Sequence, residues 1–176
     1  CLVGSEMCIR DSEQAGQETK KKAKETAGEQ VLRLNNENEP TSFDPPIGFN
    51  NVSWQALNNL MEGLTRLGAD HEPEAASAEK WNISDDGKTY TFTIRDDAKW
   101  SNGDPLTAGD FEYAWKRLLD PKTGSSAAFL GYFIEGGEAF NSEKGAKDDV
   151  KVKAEDEKTL KVTLESPQQS FLSIVA

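Results

Sequence analysis

The chain has 176 residues, 36% hydrophobic and 29% charged, with a formal net charge of −11 at pH 7. That length suits one domain or one and a half, with enough apolar residues for a core in a highly soluble protein. The acidic balance repels phosphate backbones and argues against nucleic acid as a partner. No run approaches the ~18 apolar residues a membrane span needs.

The two cysteines, Cys1 and Cys8, both lie in the first ten residues. A disulfide between them would close a short loop and stabilise little. A body without cysteine suits an extracellular setting. Residues 1–12, "CLVGSEMCIRDS", have no basic region followed by an apolar stretch, so they are not an intact signal peptide. They match neither the tether nor the domain that follow and read as an artefact. "EQAGQETKKKAKETAGEQ" has no aromatics and cannot bury enough apolar surface to fold alone. Residues 1–30 are therefore expected to be a disordered tether.

Val31 opens a short apolar strand candidate, and residues 38–51 should run extended and irregular through three prolines. Leu57, Leu60, Met61 and Leu64 recur at i, i+3, i+4 and i+7 and predict a helix, with Ser53 as N-cap and Gly63 as its stop. Trp81 and Ile83 belong to a strand. After it, Tyr90, Phe92 and Ile94 alternate with Thr89, Thr91 and Thr93, the period of a half-buried strand. Asp86-Gly87 between them predicts a two-residue hairpin turn.

Beyond Trp100, "SNGDP" makes another turn. Thr107 and Asp110 have capping-box spacing before a helix whose buried stripe is Phe111, Ala114, Trp115 and Leu118. Asp120-Pro121 ends that helix. Residues 122–148 read as loop, with a weak apolar patch at 129–134. Val150, Val152 and Ala154, then Leu160, Val162 and Leu164, predict a second hairpin turned by "EDEK". The last residues begin an apolar helix or strand and predict that the chain is a fragment.

Catalysis needs positioned groups with tuned pKa values. His71 is the only histidine, in polar surroundings and without a nucleophile elbow. One histidine and a body free of cysteine offer no zinc site. "DDGKTYTFTIRDD" has aspartates, but its interior is a strand pattern without calcium-loop spacing. Asp96-Asp97 could serve as paired carboxylates, yet with 31 acidic residues a solvated turn is the better reading. No phosphate-binding glycine loop occurs. Trp81, Trp100 and Trp115 read as core; Trp54 opens a helix beside an irregular segment.

Residues 31–176 resemble the extracellular solute-binding proteins, family 5, the oligopeptide receptors of ABC importers. The resemblance is carried by "FDPP", "LNNLMEGLTRL", the block from Trp81 through Asp86, Gly87, Arg95, Trp100, Gly103, Thr107 and Ala108, and "VKAEDEKTLKVTLESPQQSFL". It implies an α/β chain of α+β mixed-sheet character, the N-terminal portion of a lobed, type 2 periplasmic-binding-protein-like fold. Residues 31–62 would start the first lobe and 63–176 would be most of the small second domain, cut at its C-terminus.

The resemblance also implies a receptor and not an enzyme, with no cofactor. It would act as a monomer that closes on an extended oligopeptide and docks on ABC permease subunits driven by separate ATPases. The alternatives are a relative taking nickel, haem or a sugar, or a pheromone-sensing or structural surface module. Gly48, Phe49, Asn50, Asn51 and Val52 would line the ligand, as would Ala127, Ala128 and Phe129, where Ala127 replaces a residue often aromatic in the family. Location would be extracytoplasmic, as a Gram-positive lipoprotein or in the periplasm. "EMC" lacks the small residue of a lipobox, so the anchor cysteine is expected just before "SEQAGQ", lost or altered here. The fragment alone is expected to fold loosely and not to bind peptide.

Overall fold

Alternating threonines and apolar residues build the centre of the molecule. In the computed structural model, which describes residues 33, 35, 36, 38–48 and 50–176, the strand Thr89–Ile94 (β4) buries Tyr90, Phe92 and Ile94 and turns its threonines outward. Pleating makes this separation automatic, because successive side chains point to opposite faces. The tether, both cysteines and the Val31 strand candidate lie outside the described residues, as does Phe49. Residues 36–176 make up one compact unit.

β4 pairs antiparallel with Ala78–Ile83 (β3) on one side and with Thr159–Thr163 (β6) on the other. Val152–Ala154 (β5) then pairs with β6, completing a four-stranded sheet in the order β3-β4-β6-β5. Two three-residue strands, Thr65–Leu67 (β1) and Pro73–Ala75 (β2), form a separate antiparallel pair. They are too short to show a period in sequence. The expected mixture of helix and sheet is present, and every strand pairing among the described residues is antiparallel.

The β3–β4 connection corrects one expectation. Ser84 pairs with Thr89, and four residues, 85–88, lie between them. The Gly87 N–H bonds the Ser84 carbonyl at 2.8 Å, and Gly87 has φ of +70°. A right-handed turn over Ser84–Gly87 followed by one left-handed residue joins the strands, instead of the two-residue turn. The glycine still supplies the positive φ.

Asn51–Leu60 forms a helix (α1), but Asn50 is its N-cap, accepting from the Ser53 N–H. Ser53 sits buried in the first turn instead, its hydroxyl taking the Thr41 N–H at 3.2 Å. Of the expected stripe, Leu57 is buried and Leu64 is buried beyond the helix end. Leu60 and Met61 are 68% and 49% exposed. The chain turns extended at Met61, before Gly63 is reached.

Ala108–Leu118 (α2) starts as predicted at Thr107. The Asp110 carboxylate accepts from both the Thr107 N–H and its hydroxyl at 2.8 Å. Phe111 and Trp115 pack on the core, as does Trp81. Ala114 is exposed and Leu118 only half-buried; the fully buried residues are Ala108 at the helix start and Leu119 just past its end. Trp100, expected in the core, is 48% exposed beside the turn closed by Gly103.

Residues 122–148 carry more structure than a loop. Tight helical turns occupy Pro121–Thr123, Ala128–Gly131 and Lys147–Asp149, and a short helix, Gly137–Asn141 (α3), lies between them. The last apolar run is the helix Phe171–Ile174 (α4), which drives Phe171 into the core against Tyr90, ring centroids 4.8 Å apart. That contact, with Phe92 at 6.5 Å, forms an aromatic centre under the sheet.

Candidate functional site

The two strips expected to meet ligand lie on separate stretches of chain, and polar contacts bring their neighbourhoods together. The first follows the Asp44–Gly48 turn. Two prolines fix its backbone, and the Asp44 carbonyl accepts from the N–H groups of Ile47 and Gly48 at 2.9 and 2.8 Å. Gly48 is buried, and a Cβ there would lie 2.6 Å from the Ser42 carbonyl oxygen, so only glycine fits. The chain then enters α1 through Asn50.

Asn50 does double duty. Its side-chain oxygen caps the helix, while its NH2 donates to the Thr41 hydroxyl at 2.6 Å. Asn51 is exposed at the first helical position, and the Val52 carbonyl accepts from the Asn36 side chain at 3.0 Å. Residues 36–44 thus wrap the start of α1 by hydrogen bonds more than by apolar burial.

The second strip is the tight turn at Ala128–Gly131. Ala127 and Ala128 are buried, and Phe129 is 50% exposed. The Ala127 N–H bonds the Ser125 hydroxyl at 3.1 Å, and that hydroxyl donates to the Pro46 carbonyl at 2.5 Å. From the end of α2, Arg117 reaches Asp44, in the turn that leads into the first strip. Its two terminal nitrogens donate to the two Asp44 oxygens at 2.6 and 2.5 Å, a fork-to-fork geometry. The Arg117 hydrogen bonds hold the Asp44 carboxyl below its ordinary range against partial burial, and the guanidinium charge adds to them. The Arg117–Asp44 and Ser125–Pro46 pairings carried no signal in sequence, because they span 73 and 79 residues.

Elsewhere the chemistry is structural. His71 is exposed in the β1–β2 turn, and Asp96 and Asp97 are exposed. Among the described residues no group of three or more His, Cys, Asp or Glu is placed to hold a metal ion, and no helix is long and apolar enough to cross a membrane. Tyr90 has its hydroxyl pKa raised by burial, and it donates to the Gln168 carbonyl at 3.1 Å. Burial works against the Glu112 charge, but Lys116 at 2.7 Å and the Ala154 N–H at 2.7 Å outweigh it, so its carboxyl titrates below the usual range. Glu112 thereby ties α2 to the edge strand β5.

A groove of about 580 Å³ runs between α1 and β1, lined by Trp54, Leu57, Met61, Thr65 and Leu67 among others. None of the expected ligand residues lines it; Pro45, in the turn before them, does.

What the arrangement defines is a small sheet scaffold that presents a braced chain segment, with no assembled catalytic constellation among the described residues. The family model for bacterial extracellular solute-binding proteins, family 5 (middle), matches residues 72–176, and the chain belongs to that family. It is 74% identical to the dipeptide-binding protein DppE of Bacillus subtilis over 165 residues, 94% of this chain and 30% of that protein. It is 51% identical over 153 residues to the oligopeptide-binding protein OppA of the same organism, covering 87% of this chain and 28% of that one. The solved structure of Listeria monocytogenes OppA bound to peptide superposes with a TM-score of 0.82 at 39% identity, over 85% of this chain and 30% of that one. The chain thus spans about 30% of the length of these relatives.

Proposed function

We propose that this chain is the N-terminal part of the substrate-binding component of an ABC importer that captures extracellular oligopeptides. The observation that carries the reading is 74% identity, across almost the whole chain, to a protein named for dipeptide binding. The superposition on a peptide-bound OppA supports it. In this reading the ligand lies as an added strand held through main-chain hydrogen bonds, with wet pockets for its side chains. Residues 48–52 and 127–129 border that ligand, with Phe129 offering the accessible apolar surface of the second strip.

Residues 1–30 act as a tether, 31–62 open the first lobe, and 63–176 form most of the small second domain. The complete receptor is a monomer that docks on permease subunits and works outside the cytoplasm, either as a lipoprotein anchored through a cysteine just before the Ser12 stretch or in the periplasm. A second reading, peptide-pheromone sensing, is favoured by the likeness to the pheromone receptor PrgZ, at a TM-score of 0.74 and 42% identity.

The test is thermal unfolding of the full-length protein with a pool of short peptides, and separately with nickel, haem and oligosaccharides. A ligand that binds only the native state raises the midpoint by mass action. Peptides alone should raise it; a shift only with another class overturns the substrate.

A further inference from the structure

We infer that Asp44, Arg117 and Ser125 form a cross-brace that positions the two candidate ligand strips, 48–52 and 127–129, relative to each other. The inference rests on the peptide-receptor reading for its consequence, but its geometry stands independently.

Asp44–Gly48 behaves as one stiff piece. Its prolines fix two φ angles, and one carbonyl collects two N–H groups. A stiff piece held at one point can still swing, whereas one held at two points cannot. Arg117 holds the first point, with two parallel hydrogen bonds that fix direction as well as distance. Ser125 holds the second, at the Pro46 carbonyl. The same hydroxyl accepts the Ala127 N–H, so one oxygen atom joins the turn that leads into the first strip to the start of the second.

Both holding residues come from one source. Arg117 is in the last turn of α2, and Ser125 follows through the turn Pro121–Thr123, which Asp120 caps by accepting the Lys122 N–H at 2.9 Å. The end of α2 therefore sets where both strips sit. These are positioning residues, not ligand contacts, and the planar fork of arginine is what the role demands. Lysine would keep the charge but hold only one point.

The test uses the full-length protein with Arg117→Lys, Ser125→Ala and the double variant. Two readouts are taken: amide hydrogen exchange, and the Kd for a short peptide from the pool. Loss of a charge-assisted or bridging hydrogen bond at a half-exposed site should speed exchange at Gly48 and Ala127 by about five- to tenfold and raise the peptide Kd by a similar factor. Exchange at Phe92 and Val162 should not change.

Unchanged exchange at Gly48 and Ala127 overturns the brace. Faster exchange with an unchanged Kd overturns its role in positioning the ligand strips. If the wild-type protein takes no peptide while the variants loosen both amides, the brace stands and the peptide reading alone falls. If Arg117→Lys also loosens the sheet, Ser125→Ala, which deletes a single hydroxyl, decides the matter by the same two readouts.

Discussion

Residues 36–62 and the four-stranded sheet are built on opposite principles. The sheet hides Phe92, Leu160, Val152, Val162 and Phe171 almost completely, and apolar burial at about 25 cal/mol per Å² holds it together. In the 36–62 segment the only fully buried large apolar side chain among the described residues is Leu57. Polar ties do much of the rest: Asn36 to the Val52 carbonyl, Thr41, Asn50 and Ser53 among themselves, Asp44 to Arg117 and the Pro46 carbonyl to Ser125. Salt screening and protonation act on charges, so among these ties the Asp44–Arg117 pair is the one they weaken, while the neutral hydrogen bonds and the apolar core carry no such dependence. At high salt or strong acid the segment should therefore loosen at Asp44 before the scaffold does.

The largest effect that tests this contrast is at Phe92, which is completely buried. Phe92→Ala should cost about 3–5 kcal/mol, read as a lower midpoint in urea unfolding, and should take both regions down together. Gly48→Ala comes next. It forces a Cβ against the Ser42 carbonyl and should cost about 1–3 kcal/mol, with amide protection lost across 41–53 and retained in β4 and β6. Equal loss in both regions would dissolve the distinction between them.

Glu112→Gln is smaller. It weakens a largely buried contact to Lys116 and the Ala154 N–H, and about 1–2 kcal/mol of stability should go, seen first as faster exchange along β5.

The smallest effect is that of pH on Asp44. Hydrogen bonds from Arg117 set its folded-state pKa below the unfolded value, despite opposing burial. Its contribution is therefore complete above the unfolded value, about 3.9, and is lost as pH falls through the lower folded value. Because the pair is about one-third exposed, solvent screens it and the loss should stay under about 1 kcal/mol. It should loosen Ile47 and Gly48 before β4 moves.

The same division explains what could be read in the sequence. Tyr90, Phe92 and Ile94, and the Leu160–Val162 run, announced their strands because burial imposes a period of two on every strand. Thr107 and Asp110 announced α2 because capping is local. The hairpin loop length escaped, since Asp86-Gly87 fits more than one turn and the choice was made by pairing Ser84 with Thr89. Leu60, Met61 and Ala114 were misplaced because periodicity marks a stripe but not what covers it. The brace was invisible: a lone Asp before two prolines and an Arg at a helix end each have ordinary local explanations. The two candidate strips were placed by family resemblance, not by any pattern in the residues.

In the centre of the sheet Tyr90 faces Val162 and Phe92 faces Leu160, so β4 finds its principal partner in chain synthesised about seventy residues later. At ribosomal speeds of about 5–20 residues per second the β3–β4 hairpin waits several seconds with its apolar face uncovered. Such non-local closure is intrinsically slow. Glu79 and Lys80 are exposed on β3, an outer edge of the finished sheet, and charge on an edge strand is one way a sheet discourages edge-to-edge pairing.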